Sequence, residues 1–239
     1  MSAATLTLGV PSKGRMAEDL QRLFRRAELG MRLPAATRRY RDGLRGIADI
    51  DLHFAPAAQI ARELNSGALA LGISGEDLLR EEAKAAPSAA EVLEPLGVGR
   101  ADVVVAIPNG WWDIDGMEAL ADLASDLYDT AHRPLRVATK YQHLTRRFFA
   151  EREVHNYRIL ASAGATEAAP ETGSADIIVD ITSSGRSLRD NRLKRLADGT
   201  ILSSQAVLAQ SARAPALSPA QRAVRDELSA RLGAARDAR

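Results

Sequence analysis

Apolar positions along the chain recur with a period near two, then with a period near 3.6, and this alternation repeats. Residues 5–10 alternate and are partly β-branched, which predicts a strand. Pro11-Ser-Lys-Gly-Arg15 breaks it, and Leu20, Leu23, Phe24 and Ala27 form a helical stripe over residues 16–29. Ile50, Leu52 and Phe54 alternate with Asp51 and His53, the pattern of a half-buried strand. Residues 60–64 predict a helix, and residues 68–73 form a short apolar run ending at Ser74-Gly75. Residues 102–107 are nearly continuous Val and Ile, which predicts a strand covered on both faces.

A second set follows. Asn109-Gly110 is a turn signal, and Met117, Leu120, Leu123 and Leu127 share one face of a helix over residues 116–128. Strands are predicted at 135–138, 157–160 and 176–181, with a helix at 141–151. Residues 187–197 predict a helix, 200–208 an extended segment, and Ser218-Pro219 opens a terminal helix with an N-cap and a proline at its first turn. The stretch 83–90 has the composition of a surface connection. Strands separated by helix-length segments predict an α/β protein with mostly parallel sheets. The two sets divide the chain into a lobe of residues 1–99 joined by about 195–239, and a second lobe of 100–194.

Composition narrows this picture. Hydrophobic residues make 46% of the 239 and charged residues 26%, which excludes wholesale disorder. The 32 basic side chains nearly cancel the 31 acidic ones, so a surface built to bind nucleic acid is not expected. Cysteine is absent, which removes thiolate catalysis and thiolate metal sites. The N-terminus lacks a basic n-region, and no apolar run approaches a membrane span, so a cytoplasmic protein with no membrane role is expected.

Five segments carry candidate chemistry. In Asp180-Ile-Thr-Ser-Ser-Gly-Arg-Ser-Leu188 a buried strand ends in hydroxyl residues and a helix begins. Thr182, Ser183, Ser184 and Ser187 supply donors, Gly185 lets backbone approach a ligand, and Arg186 adds charge. Such a turn suits a phosphate monoester, with Asp180 on sugar hydroxyls; an ordinary strand-to-helix loop with a Ser cap is the plainer alternative. Lys13, Gly14 and Arg15 place two cations at a helix start, suited to a polyphosphate, although basic residues there oppose the helix dipole. Leu71-Gly-Ile-Ser-Gly-Glu-Asp77 ends a strand with Gly75 and Asp77. Arg136-Val-Ala-Thr-Lys-Tyr141 presents Lys140 and Tyr141 at a helix start, and Gly164-Ala-Thr-Glu-Ala-Ala-Pro170 presents Glu167. Taken singly, the last three read as ordinary connections. There is no Walker A motif, no dinucleotide fingerprint at Gly97-Val-Gly99 and no nucleophile elbow. His53, His132, His143 and His155 lack metal-ligand spacing, and Trp111-Trp112 is expected as a turn anchored by one ring.

In family order, these five segments resemble those of the ATP phosphoribosyltransferases of histidine biosynthesis. The resemblance implies two lobes like those of the type II periplasmic binding proteins, with the active site between them. It implies that N1 of ATP attacks C1 of 5-phosphoribosyl 1-pyrophosphate, with inversion and release of pyrophosphate, and with Mg2+ carried on the substrate phosphates. It assigns Glu167, Asp180, Thr182, Ser183, Ser184, Gly185, Arg186, Ser187 and Leu188 to the phosphoribosyl substrate. Arg15 and Arg38 match arginines that neutralise the departing pyrophosphate, with Arg39 a close rival of Arg38. Lys13, Gly14, Gly75, Asp77, Lys140 and Tyr141 are its ATP-site candidates, and it implies no protein-held metal. Such catalysis rests on positioning and charge neutralisation, so the lack of a nucleophile is no objection.

The chain departs from the family pattern in Ser184-Gly-Arg-Ser187, where many members have Thr-Gly-x-Thr. It also departs at Ala70, and at Ala55-Pro56 where an arginine is common. Its length resembles the short form of the enzyme. That form implies a homodimer assembling with a catalytically dead homologue of histidyl-tRNA synthetase into a hetero-octamer; the Arg-rich terminal helix fits dimer packing and a solvated amphipathic helix equally. The alternatives are a two-lobed binding module and a catalytically degenerate subunit for a phosphorylated metabolite.

Overall fold

The first alternating run forms β1 (Leu6–Pro11), and the stripe after the basic loop forms α1 (Arg15–Arg26). Next come β2 (Arg41–Gly43), β3 (Ile50–Ala55), α2 (Ala57–Ser66), β4 (Leu71–Gly75), α3 (Glu76–Glu82) and β5 (Ala90–Pro95). β6 (Ala101–Pro108), α4 (Met117–Ala131), β7 (Leu135–Thr139), α5 (Gln142–Glu151) and β8 (Tyr157–Ala161) follow. β9 (Ile177–Thr182), α6 (Arg186–Asp190), β10 (Leu193–Ser204), β11 (Ala206–Ser211) and α7 (Pro219–Asp237) complete the order. This computed structural model describes residues 5–31, 41–84, 89–162 and 164–238.

The chain divides into a first unit, Met1–Arg100 with Ser204–Arg239, and a second unit, Ala101–Ser203. The sequence pattern put the return to the first unit near residue 195. It comes later because β10 is an edge strand of the second sheet. The first sheet has the strand order β2-β3-β1-β4-β11-β5, and the second β10-β6-β9-β7-β8. Both sheets are mixed, where mostly parallel pairing was expected. β1 runs parallel to β3 and β4, and β7 parallel to β8 and β9. Antiparallel pairs join β2 to β3, β11 to both β4 and β5, and β6 to β9.

Side-chain alternation decides which layer each residue joins. In β11, Ala206 and Leu208 pack into the core shared with Leu20 and Phe24 of α1 and with Leu228 and Leu232 of α7. Val207 and Ala209 face the opposite layer, with Ile60 and Leu64 of α2 and Leu79 of α3. In β6, Val103 to Ile107 are all fully buried, as a strand covered on both faces must be. The core on one face of the second sheet gathers Val104, Ala106, Ala138, Ile178, Leu188 and Leu193.

Two segments differ from the sequence pattern. Residues 187–197 read as one helix, but α6 stops at Asp190 and a strand begins at Leu193. Arg192 turns the chain with φ of +54°, and the buried Leu188, Leu193 and Leu196 satisfy a strand as well as a helix. β5 begins at the end of the 83–90 connection, in residues to which the sequence pattern assigned no element; Glu91, Val92 and Pro95 are those of an exposed sheet margin. Neither tryptophan is buried: Trp111 is half-buried and Trp112 is 83% exposed. No helix among the described residues is long and apolar enough to cross a membrane.

α7 begins with a capping box. The Ser218 hydroxyl accepts from Gln221 N, and Gln221 Oε1 accepts from Ser218 N. The helix docks through fully buried Leu228 and Leu232, and Arg236 pairs with Glu94 of β5. It is therefore part of the first core and not a solvated appendage. Leu232→Ala is expected to lower the unfolding free energy by about 2–5 kcal/mol in urea titration; a loss below about 1 kcal/mol would mean that α7 is not packed as described.

Candidate phosphoribosyl-binding site

The hydroxyl-rich loop leaves the end of β9 and enters α6. Gly185 holds φ of +68°, a left-handed conformation that side chains other than glycine adopt at a cost. A Cβ there would also lie 3.0 Å from a guanidinium nitrogen of Arg189. The loop supports itself. Gly185 N donates to Thr182 Oγ1 at 3.0 Å, Arg186 N to Ser184 Oγ at 3.4 Å, and Arg189 Nη1 to the Ser184 carbonyl at 3.1 Å. Two backbone donors at the start of α6 are thus held by the loop's own hydroxyls. Arg186 is turned outward, with its side chain 82% exposed and 3.6 Å from Asp190. Leu188 is buried under the loop.

A cavity of about 390 Å³ opens against this loop, lined by Thr182 to Gly185 on one side and by Asp102, Lys194 and Arg195 on another. The sequence pattern missed Arg189, Lys194 and Arg195 as lining residues. Lys194 and Arg195 fell inside the expected helix, and only the turn at Arg192 brings β10 back beside the loop.

The two candidate acids lie at the other flank of the loop. Ser187 Oγ donates to Glu167 Oε1 at 3.4 Å, which ties the loop to the short 3-10 turn Thr166–Ala168. Asp180, inside β9, accepts from Ile181 N at 2.7 Å and lies 3.6 Å from Lys140 Nζ. Burial pushes the Asp180 carboxyl above the usual carboxylate range; Lys140 opposes the shift, and the nearby Glu167 charge adds to it. Lys140 also stacks over the Tyr141 ring at 4.9 Å. Glu167, Asp180, Ser187 and Lys140 are therefore brought together. Tyr141 is buried, and its backbone N–H donates to Thr139 Oγ1.

In the first unit the basic loop is open to solvent. Lys13, Gly14 and Arg15 are exposed, Gly14 caps α1 with φ of +82°, and Arg15 donates to the Arg100 carbonyl at 3.4 Å. Asp77 is only 3% exposed and accepts from Ser204 Oγ at 2.7 Å, while its N–H donates back to that hydroxyl. Its carboxylate is therefore engaged within the first unit and holds the turn from β4 into α3. Gly75 serves that arrangement, since a Cβ there would come 2.3 Å from Asp77 Oδ1. Arg38 and its rival Arg39 lie outside the described residues. Among the described residues no three His, Asp or Glu side chains converge as a metal site would require.

Comparison with known proteins gives this geometry a family. The family model described as ATP phosphoribosyltransferase matches residues 56–233. An ATP phosphoribosyltransferase of Chelativorans sp. is 49% identical over 205 residues, covering 85% of this chain and 89% of that protein. One from Sinorhizobium medicae is 47% identical over 213 residues, covering 88% and 91%. Among solved structures, the ATP phosphoribosyl transferase (HisG:HisZ) complex from Thermotoga maritima contains a chain that superimposes with a TM-score of 0.71 at 23% identity, covering 98% of this chain and all of that one. An ancestral amino acid-binding protein superimposes at 0.56 with 12% identity over 98% and 91%. The fold is thus the α/β architecture of type II periplasmic binding proteins, and the chain belongs to the ATP phosphoribosyltransferase family.

Proposed function

We propose that the chain joins ATP to 5-phosphoribosyl 1-pyrophosphate, opening histidine biosynthesis in the cytoplasm. N1 of ATP forms a bond to C1 of the ribose, the bond from C1 to the pyrophosphate oxygen breaks, and pyrophosphate leaves with the bonding pair. The observation that carries the reading is the joining of the Thr182–Leu188 loop to an acid pair: Ser187 meets Glu167, and Asp180 lies beside both Glu167 and Lys140. Hydroxyls and backbone of the loop suit a phosphate monoester, while carboxylates suit ribose hydroxyls. The family match spans this whole segment.

Within this reading Arg15 and Arg38 neutralise the charge that develops on pyrophosphate, and Lys13 and Gly14 sit beside Arg15. Charge neutralisation at a leaving group is worth most when it grows towards the transition state. In this reading Mg2+ would be carried on the substrate phosphates, where it would neutralise phosphate charge, and the chain's own residues position the two substrates. We further propose a homodimer joined by a histidyl-tRNA-synthetase-like regulatory subunit. The superimposable Thermotoga maritima protein was solved as a HisG:HisZ complex. A binding module or a degenerate subunit is the competing reading, and turnover separates them.

The deciding assay is pyrophosphate release with ATP, phosphoribosyl pyrophosphate and Mg2+, with and without the regulatory partner. Release that needs both substrates is expected; binding without turnover in the complete assembly would select the competing reading. Gly185→Val is expected to abolish saturable phosphoribosyl pyrophosphate binding, by forcing a β-branched residue into a left-handed conformation and crowding Arg189. Normal affinity would remove the loop from the site. Arg15→Ala is expected to lower kcat by about 100-fold with a smaller effect on substrate binding; a pure KM effect would assign Arg15 to ground-state binding. Asp180 gives a prediction in which stability and turnover move oppositely. Its carboxyl is raised, so its folded-state ionisation costs stability once pH rises through that raised value. Asp180→Asn is therefore expected to raise Tm by a few degrees at pH 7 while cutting turnover. The gain should shrink as pH falls and the wild-type carboxyl protonates. An unchanged or lower Tm at pH 7 would show that Lys140 already offsets the burial cost.

A further inference from the structure

The cations around the 182–188 loop are not equivalent. Arg186 leaves the loop for solvent and Asp190. Arg189 spends a guanidinium nitrogen on the Ser184 carbonyl. Arg195 is 3.5 Å from Asp102, so that pair enters the cavity with its charges matched. Lys140 lies 3.6 Å from Asp180. Lys194 is half-buried as a residue, lines the same cavity as Thr182 to Gly185, and its side chain has no hydrogen-bond or ion-pair partner among the described residues. Its charge is therefore unmatched by the protein, and an anion in the cavity would supply the partner. The acids sort the other way: Glu167 and Asp180 do not line this cavity, and their charge would repel a phosphate placed at their flank.

We propose that Lys194 holds the 5-phosphate of the ribosyl substrate in this cavity, against the loop hydroxyls, so that the sugar extends towards Glu167 and Asp180. The proposal rests on the phosphoribosyltransferase reading and deepens it. It replaces Arg186, the loop's most conspicuous charge in sequence, with a residue from the following strand. The Lys194 ammonium is a compact donor on a flexible stem, able to follow a phosphate to which Thr182 and Ser184 donate their O–H groups while still accepting from the backbone N–H groups of Gly185 and Arg186.

Calorimetric titration of the full-length chain with phosphoribosyl pyrophosphate, and separately with ribose 5-phosphate, tests this. Lys194→Ala is expected to weaken both ligands by the same factor, about tenfold or more. Its Tm and ATP affinity should stay close to wild type, and Lys194→Arg should recover most of the binding. Unchanged affinity for both sugar phosphates in Lys194→Ala would overturn the proposal. So would a loss confined to phosphoribosyl pyrophosphate, because Lys194 would then serve the pyrophosphate. A wild-type chain that binds neither sugar phosphate removes the transferase reading and the proposal with it, which separates that failure from failure of Lys194 alone.

Discussion

The first sheet closes only when residues 206–211 slide between β4 and β5. β11 pairs antiparallel with both neighbours, so each of those strands borrows its partner from chain that follows the whole second unit. The insertion also completes two cores at once, because Leu208 belongs to the α1 and α7 layer and Val207 to the α2 and α3 layer. Just ahead of it, the Ser204 hydroxyl locks the buried Asp77 and so fixes the turn from β4 into α3. The entropic cost of such a long closure grows slowly with loop length, but contacts this remote in sequence slow folding. The stability of the N-terminal strands is thus tied to residues near the other end of the chain.

The same economy appears in the 182–188 loop. Thr182 and Ser184 hold the backbone N–H groups of Gly185 and Arg186, so the loop keeps its shape without a ligand. Little ordering remains for a substrate to impose, and preorganisation of that kind favours affinity. The half-buried carboxyl of Asp180 is pushed above the usual carboxylate range by its burial, and Lys140 opposes that push.

Strongly periodic segments were legible in the sequence. The continuous Val/Ile run of β6, the stripe of α1 and the Ser218-Pro219 start of α7 formed where their patterns placed them. β5 was not legible, since Glu91, Glu94 and Pro95 satisfy a sheet margin with residues that equally make a loop. Leu188, Leu193 and Leu196 fit a helix and a strand alike, and the left-handed Arg192 that decides between them carries no sequence signal. For the site, Glu167, Asp180 and Ser187 could be found from their motifs, and they do gather. Asp77 shared the look of an exposed helix-start acid, and only the distant Ser204 reveals why it is buried. Lys194 was hidden because its nearness to the loop follows from the turn at Arg192, not from spacing, whereas Arg189 follows the loop directly and folds back onto the Ser184 carbonyl.

Both tryptophans of the chain sit in one turn of the second unit, between β6 and α4. Trp112 already faces water, whereas Trp111 is half-buried and its backbone N–H donates to the Pro108 carbonyl. Indole emission is therefore a reporter for residues 101–203 alone, with Trp111 carrying the change in signal. The first unit, with α7 and the inserted β11, is dark to that probe. A melt followed by fluorescence and by circular dichroism then asks whether the two units are one cooperative system: coincident transitions mean they unfold together, and separated ones give each unit its own midpoint.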